Sequence, residues 1–557
     1  MQNYSRYTRQ PAIPYPERTW PDQQITSAPI WVSVDLRDGN QALIDPMILS
    51  ERLEIYALLL ELGFTQIEVG CPASSESDRE FVRKLIEDDL IPDHVTIQVL
   101  SDCTKEEIRD TFASIRGARR AIVHICHPTS ALHREVVYGC SREDVMKIAQ
   151  DAAGWAGECA AQFDGEITLE YSPECFTETE PDFALALCTA VQQIWKPTPQ
   201  HPVIFNLPST VERSTPNVYA DRIEWMSRHF EDRDSIILSV HPHNDRGCAV
   251  AAAELALMAG AQRVEGTLMG NGERTGNVDL LTLAYNMFSQ GVDPQLNLED
   301  SGRITEVWER CSKMSIDERR PYVGKLVFTS FSDMHQMCID KGIAHTKDSE
   351  DGKWRVPYLP IDPADIGRVY EAVAGAGAQS VRGGAAHIMS KYYGFKLPKG
   401  MHREFGDALQ RMTAPGTRME REQIMDAFRS EYLYQNEPLH FRRIQVTELQ
   451  DKGDTGFDTR IRLIYTLNNE TEQIRAEGNG PLDAVRNGFS DKLGVHIRIL
   501  DYEEHALKAG SDSQAAAYIH MMDEDTGRIT YGVGVSSNIT RASVRAIFSG
   551  INRLGLV

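Results

Sequence analysis

The chain has 557 residues, long enough for two or three domains with cores of their own. With 58 Lys and Arg against 81 Asp and Glu its formal charge is −23. That argues against nucleic acid or an anionic membrane as partner, since both reward clustered cations.

Residues 1–29, MQNYSRYTRQPAIPYPERTWPDQQITSAP, lack the apolar centre of a secretory signal and read as a proline-punctuated arm, expected to pack on a partner subunit. No apolar run reaches the length of a membrane span; the nearest, AVAAAELALMAGA, is short and contains Glu254. All ten cysteines precede residue 340 without a CxxC pair, which suits reduced thiols in a cytoplasmic enzyme.

From residue 30 to about 290, short β-branched runs alternate with amphipathic helical stretches. The predicted strands are IWVSVD, FTQIEVG, HVTIQVL, AIVHIC, EITLEYS, PVIFNL, SIILSV and RVEGTLMG. Eight strand–helix units over this length predict an α/β fold, a (β/α)8 barrel over 30–320. An open doubly wound sheet is the alternative. Residues 321–438 read as helical linker subdomains broken by VPYLPIDP and KLPKG. Residues 439–557 read as a duplicated three-strands-plus-helix unit, the two helices sharing the wording VRNGFS and VRAIFS. Such a domain builds a pocket between its halves, or is merely a second packed core.

In these barrels the chemistry sits at the C-terminal strand ends. There the first strand brings Arg37 and Asp38, the fourth His124, the fifth Ser172 and Glu174, and the sixth Thr210. The seventh brings His241 and His243, and the eighth leads into GNGERTGN, residues 270–277. Closure makes strands one, seven and eight neighbours, so Asp38, His241 and His243 converge, with Asn277 as a further oxygen ligand. Mixed nitrogen and oxygen donors suit Mg2+, Mn2+ or Zn2+ acting as a Lewis acid. The loop at Gly270, Asn271 and Gly272 can offer backbone amides to phosphate, with Arg274 adding charge. Each piece alone has a blander reading: an isolated HxH is more often structural, RDG a turn, His124 a core residue. Their agreement carries the functional one.

VDLRDGNQALIDPM, EYSPE, NLPSTVERSTPNVYADRIEWM, HPHNDRG and EGTLMGNGERTGNVDL together resemble the 2-isopropylmalate synthase family, and the likeness extends over the linker and C-terminal text. In many relatives Glu stands where this chain has Asn40. The resemblance implies condensation of acetyl-CoA, as co-substrate, with 3-methyl-2-oxobutanoate and water to 2-isopropylmalate and CoA, the first committed step of leucine biosynthesis. It implies Mg2+ first among the divalent ions, and K+ as a candidate activator. Arg37 would steady the developing oxyanion, and His124, Ser172 and Thr210 would position the oxo acid. His335 would be the base on the acetyl methyl, supported by Glu174 with Tyr358 nearby. Since His335 and Tyr358 lie outside the barrel, the linker of a homodimer would cross to the partner's active site. The C-terminal domain would sense leucine as effector, through Gly480, Leu482, Tyr502 and Ala506; a plain dimerisation domain is the blander reading. The alternatives are a sister synthase of citramalate or homocitrate type, or a leucine sensor without turnover.

Overall fold

The alternation that begins at Ile30 closes, in the computed structural model, into an eight-stranded parallel barrel. The structure describes residues 6, 12–347, 349–372, 380–412, 419–448, 458–508 and 513–557. Most of the first eleven residues of the predicted arm lie outside that set.

The strands are β1 (Ile30–Ser33), β2 (Gln66–Gly70), β3 (Thr96–Asp102), β4 (Arg120–Pro128), β5 (Glu166–Glu174), β6 (Val203–Ser209), β7 (Ile236–Pro242) and β8 (Arg263–Gly266); each pairs with the next, and β8 with β1. Helices α1 (Leu49–Leu62), α2 (Glu76–Glu87), α3 (Lys105–Ser114), α4 (Arg142–Ala160), α5 (Pro181–Trp195), α6 (Pro216–His229), α7 (Ala249–Met258) and α8 (Leu280–Ser289) follow their strands, and α9 (Ser301–Ser312) packs against α1. Local chemistry places these helices. Ser75 and Thr104 cap α2 and α3, proline opens α5 and α6, and α1 stops at Gly63, whose φ of 92° suits glycine. The strands are buried on both faces, which is why they read as continuous apolar runs.

The first strand ends at Ser33, and Asp35–Gly39 form a π-helical turn closed by Gly39 N donating to Val34 O at 3.0 Å. The described part of the arm packs on its own barrel, where Tyr15 and Trp20 are buried. Trp20 Nε1 donates to Asp221 of α6 at 2.8 Å, and Thr19 N to Glu224 at 3.0 Å. The carboxylates of α6 supply acceptors that a sequence reading cannot assign to the arm.

The chain divides into two compact units, residues 1–327 with 361–368, and residues 328–360 with 369–557. The second unit begins with β9 (Thr329–Ser330), α10 (Asp333–Lys347) and β10 (Glu371–Ala372), followed by α11 (Ser380–Tyr393), α12 (Lys399–Met412) and α13 (Arg421–Phe428). It ends in the duplication: β11 (Leu439–Glu448), β12 (Thr459–Leu467), β13 (Glu470–Gly478) and α14 (Pro481–Leu493), then β14 (Ile497–Ala506), β15 (Ala515–Asp523), β16 (Ile529–Ser536) and α15 (Ile539–Leu554). Each copy is an antiparallel three-stranded sheet, and each has a register shift after the third residue of its first strand, at Phe441 and at Ile499. The two sheets and two helices share one core around Leu463, Tyr465, Phe489, Ile519, Ile547 and Phe548.

Candidate active site

The C-terminal ends of the strands open on a cavity of about 660 Å³. Its lining includes Arg37, Asp38, His124, Ser172, Glu174, Thr210, His241 and His243, and on the apolar side Leu100, Tyr138, Val145 and Ile148. The π-helical turn after β1 aims Arg37 and Asp38 inward. Asp35 anchors that turn by accepting from Ser33 Oγ at 2.8 Å and from Leu268 N at 3.0 Å.

Asp38, His241 and His243 meet at the mouth, all buried. His241 Nε2 lies 3.3 Å from Asp38 Oδ2 and 2.8 Å from Asn277 Oδ1, and His243 Nε2 lies 3.7 Å from the same Asp38 oxygen. The Asn277 amide is oriented by its other end, where Nδ2 donates to Asn271 O at 3.0 Å. Burial opposes the Asp38 charge, yet Arg37 and the two imidazoles hold this carboxyl well below its usual range. Burial also opposes a charged His241, but Asp38 and Glu265 on either side raise it to about 10. Burial, and then the His241 charge, push His243 down to about 3. Two carbonyl-type oxygens and two imidazole nitrogens thus converge, all able to act as lone-pair donors once His241 Nε2 is free of its proton. This set fits a divalent ion with open positions.

The other predicted residues divide. His124 Nε2 and Ser172 Oγ are 2.7 Å apart, and Thr210 Oγ1 accepts from Cys175 N at 2.9 Å. Burial raises the Glu174 carboxyl. Gly270, Asn271 and Gly272 are not part of the cavity lining. Asn271 Nδ2 donates to Gly39 O at 2.7 Å, tying the loop to the π-helical turn, and Arg274 is held by Asp245 at 2.6 Å at the rim. Asn40 is also structural in its contact, accepting from Met47 N at 2.8 Å. His335 and Tyr358 belong to the second unit, where their rings stack at 3.9 Å with an interplanar angle of 21°. Gly480 and Leu482 open α14, while Tyr502 and Ala506 lie on β14, with Tyr502 Oη 3.0 Å from Ser543 Oγ.

Among family models, HMGL-like matches residues 28–307, the alpha-isopropylmalate synthase post-catalytic domain 325–390, and the LeuA allosteric (dimerisation) domain 418–555. The chain is 47% identical over 552 residues to a 2-isopropylmalate synthase of Parafrankia sp., covering 98% of this chain and 97% of that one. It is 44% identical over 554 residues to that of Clostridium acetobutylicum, covering 99% of both. The chain belongs to the 2-isopropylmalate synthase family.

As a member of that family it is an enzyme, a transferase. Beneath its donor set lies a polar layer, three of whose members, Glu170, Asn206 and Glu265, open the motifs EYSPE, NLPSTVERSTPNVYADRIEWM and EGTLMGNGERTGNVDL with no role assigned to them there. Arg37 Nε donates to Glu68 at 2.5 Å, and Gln98, Asn206, Glu170, Arg263 and Glu265 fill the interior below it. Burial, with Glu265 and Glu68 nearby, raises the Glu170 carboxyl despite Arg263. The signal was present in the text: a single polar residue inside each apolar strand run, as in QIEVG, TIQVL and VIFNL. Only the hydrogen bonds across the barrel interior show that these residues share one layer.

Proposed function

We propose that this family member joins acetyl-CoA to 3-methyl-2-oxobutanoate. The observation that carries the reading is the buried Asp38–His241–His243 set beside Arg37 in a cavity with room for more than a five-carbon acid. Mg2+ is the ion assigned to it, with Asn277 as the further ligand. When bound there, the ion supplies Lewis-acid polarisation of the 2-oxo group.

Arg37 faces the site with its guanidinium fixed on Glu68, ready to stabilise negative charge on the attacked ketone oxygen. His124, Ser172 and Thr210 hold the oxo acid. His335 takes a proton from the acetyl methyl, with Glu174 and Tyr358 assisting. The resulting carbon nucleophile forms the new C–C bond, and the ketone oxygen ends as the product hydroxyl. Water then attacks the thioester carbonyl, the C–S bond breaks, and CoA leaves as thiol. The ring stacking of His335 on Tyr358 supports a shared role, and the pair is assigned to the mouth of a partner's barrel. The apolar flank near Leu100 and Ile148 suits an isopropyl group better than a second carboxylate.

Dimerisation is assigned to the C-terminal domain, as is leucine inhibition through Gly480, Leu482, Tyr502 and Ala506. Leucine inhibits there by preferring a less active conformation. Among the described residues no helix is long and apolar enough to cross a membrane, and all ten thiols are free, which supports a cytoplasmic setting. K+ is kept as an activator.

A panel of 2-oxo acids assayed for CoA release with a thiol reagent tests the substrate. Turnover is expected to be fastest with 3-methyl-2-oxobutanoate; equal or better rates with pyruvate or 2-oxoglutarate would overturn the assignment.

A further inference from the structure

The Glu265 carboxylate receives four donors. Oε1 accepts from Gln98 Nε2 and from the Arg263 guanidinium, both at 2.9 Å. Oε2 accepts from Asn206 Nδ2 at 3.0 Å and from His241 Nδ1 at 2.9 Å. An ionised carboxyl has acceptors only, so the hydrogen between Glu265 and His241 sits on Nδ1. That leaves Nε2 as the nitrogen turned toward Asp38 and Asn277. Arg263 locks the arrangement from below. It is fully buried, and reaches Gln66 at 2.8 Å, Ser239 at 2.8 Å and Glu170 at 3.2 Å. Glu265 therefore cannot turn without unpairing groups that have no access to water.

We propose that Glu265 is the positioning residue that selects Nε2 of His241 as the metal-binding nitrogen, and that only a carboxylate serves at this position. The proposal rests on the reading of Asp38, His241, His243 and Asn277 as a metal site. An amide at 265 would present its NH2 to two donors whichever way it turned. Facing Arg263 and Gln98, it breaks the strut. Facing His241 and Asn206, it removes the acceptor for Nδ1–H and frees the ring to carry its hydrogen on Nε2, where the ion belongs.

The test uses the full chain stripped by a chelator and titrated calorimetrically with Mn2+, as wild type, Glu265→Gln and His241→Ala. Glu265→Gln is expected to weaken Mn2+ binding about 10- to 100-fold, the usual loss when an outer-shell partner is removed. Wild-type affinity in that variant overturns the proposal. Nitrogen NMR of histidine-labelled wild type loaded with Zn2+ gives a readout that needs no variant, and it decides alone if Glu265→Gln does not fold. It is expected to show His241 protonated at Nδ1 and metal-shifted at Nε2; the opposite pattern overturns the proposal. Equal Mn2+ affinity in wild type and His241→Ala would instead defeat the metal site itself, and the role of Glu265 with it.

Discussion

At the scale of residues, the cavity depends on how its rim is pinned. Arg134, on the π-helical turn His133–Tyr138 that follows β4, donates to Thr129 O at 2.6 Å and to Glu180 at 2.7 Å; Arg142 reaches the same Glu180 oxygen at 3.0 Å. Burial opposes the Glu180 charge, but the two arginines and its own backbone bring its carboxyl down to about 2. A carboxyl lower in the folded chain than in the unfolded one stabilises above its unfolded value, near 4.5, and that contribution is lost as pH falls toward 2. Because Glu180 is partly exposed, screening leaves about 1 kcal/mol. Urea unfolding of Glu180→Gln should therefore show a deficit of about 1 kcal/mol at pH 7 that shrinks by pH 3.5. A deficit independent of pH would mean the carboxylate charge is not its source.

At the scale of elements, the two copies of the C-terminal unit solve the same packing problem differently. Sheet and helix approach closely in both. In the first, the small residue is on the helix: a Cβ on Gly488 would meet the Ile474 side chain at 2.4 Å. In the second, glycines stand on both: a Cβ on Gly550 of the helix would meet the Met521 side chain at 2.4 Å, and one on Gly532 of the strand would meet the Ala546 carbonyl oxygen at 2.0 Å. A side-chain end can swing away, whereas helix backbone cannot. Gly532→Ala is thus expected to lower stability more than Gly488→Ala, with overpacking costing about 1–3 kcal/mol or more. Thermal melts of the two variants would decide, and a larger loss for Gly488→Ala would contradict the packing argument. The outer sheet faces differ too. Ala516, Tyr518, Tyr531 and Val533 are buried in a core with residues of α11, α12 and α13, while Arg460, Arg462, Gln473 and Arg475 on the other sheet are exposed. Arg462 even stands directly opposite Arg475, an arrangement tolerated only in water. The repeated wording on the helices revealed the duplication; the diverged outer faces concealed it.

For the molecule as a whole, an ion held by Asp38, His241 and His243, which come together only in the folded barrel, would stabilise it. Buried Asp38 faces two imidazoles there, and a divalent cation would take the place of the His241 proton as its counter-charge. Scanning calorimetry of chelator-stripped chain should show a transition that rises as Mg2+ is restored. The gain should be about 2.7 kcal/mol at a hundredfold excess over the dissociation constant. A barrel transition unmoved by Mg2+ and Mn2+ alike would count against a metal site.

The sequence alone determined the eightfold alternation, the change of rhythm after the barrel and the duplicated tail. All are written in local periodicity, which burial imposes on every strand and helix separately. It also carried the polar residues at the strand ends, because the barrel architecture says where each strand points. Tertiary structure decided the rest. Asp38 and His241 are 203 positions apart and meet only because β8 closes on β1. Glu265, Arg263, Gln98 and Asn206 form one layer only once the strand register is set, and Trp20 finds Asp221 only when the arm lies on α6. A hydrogen bond between distant residues leaves no mark on either neighbourhood, so local pattern could locate the chemistry but not its supports.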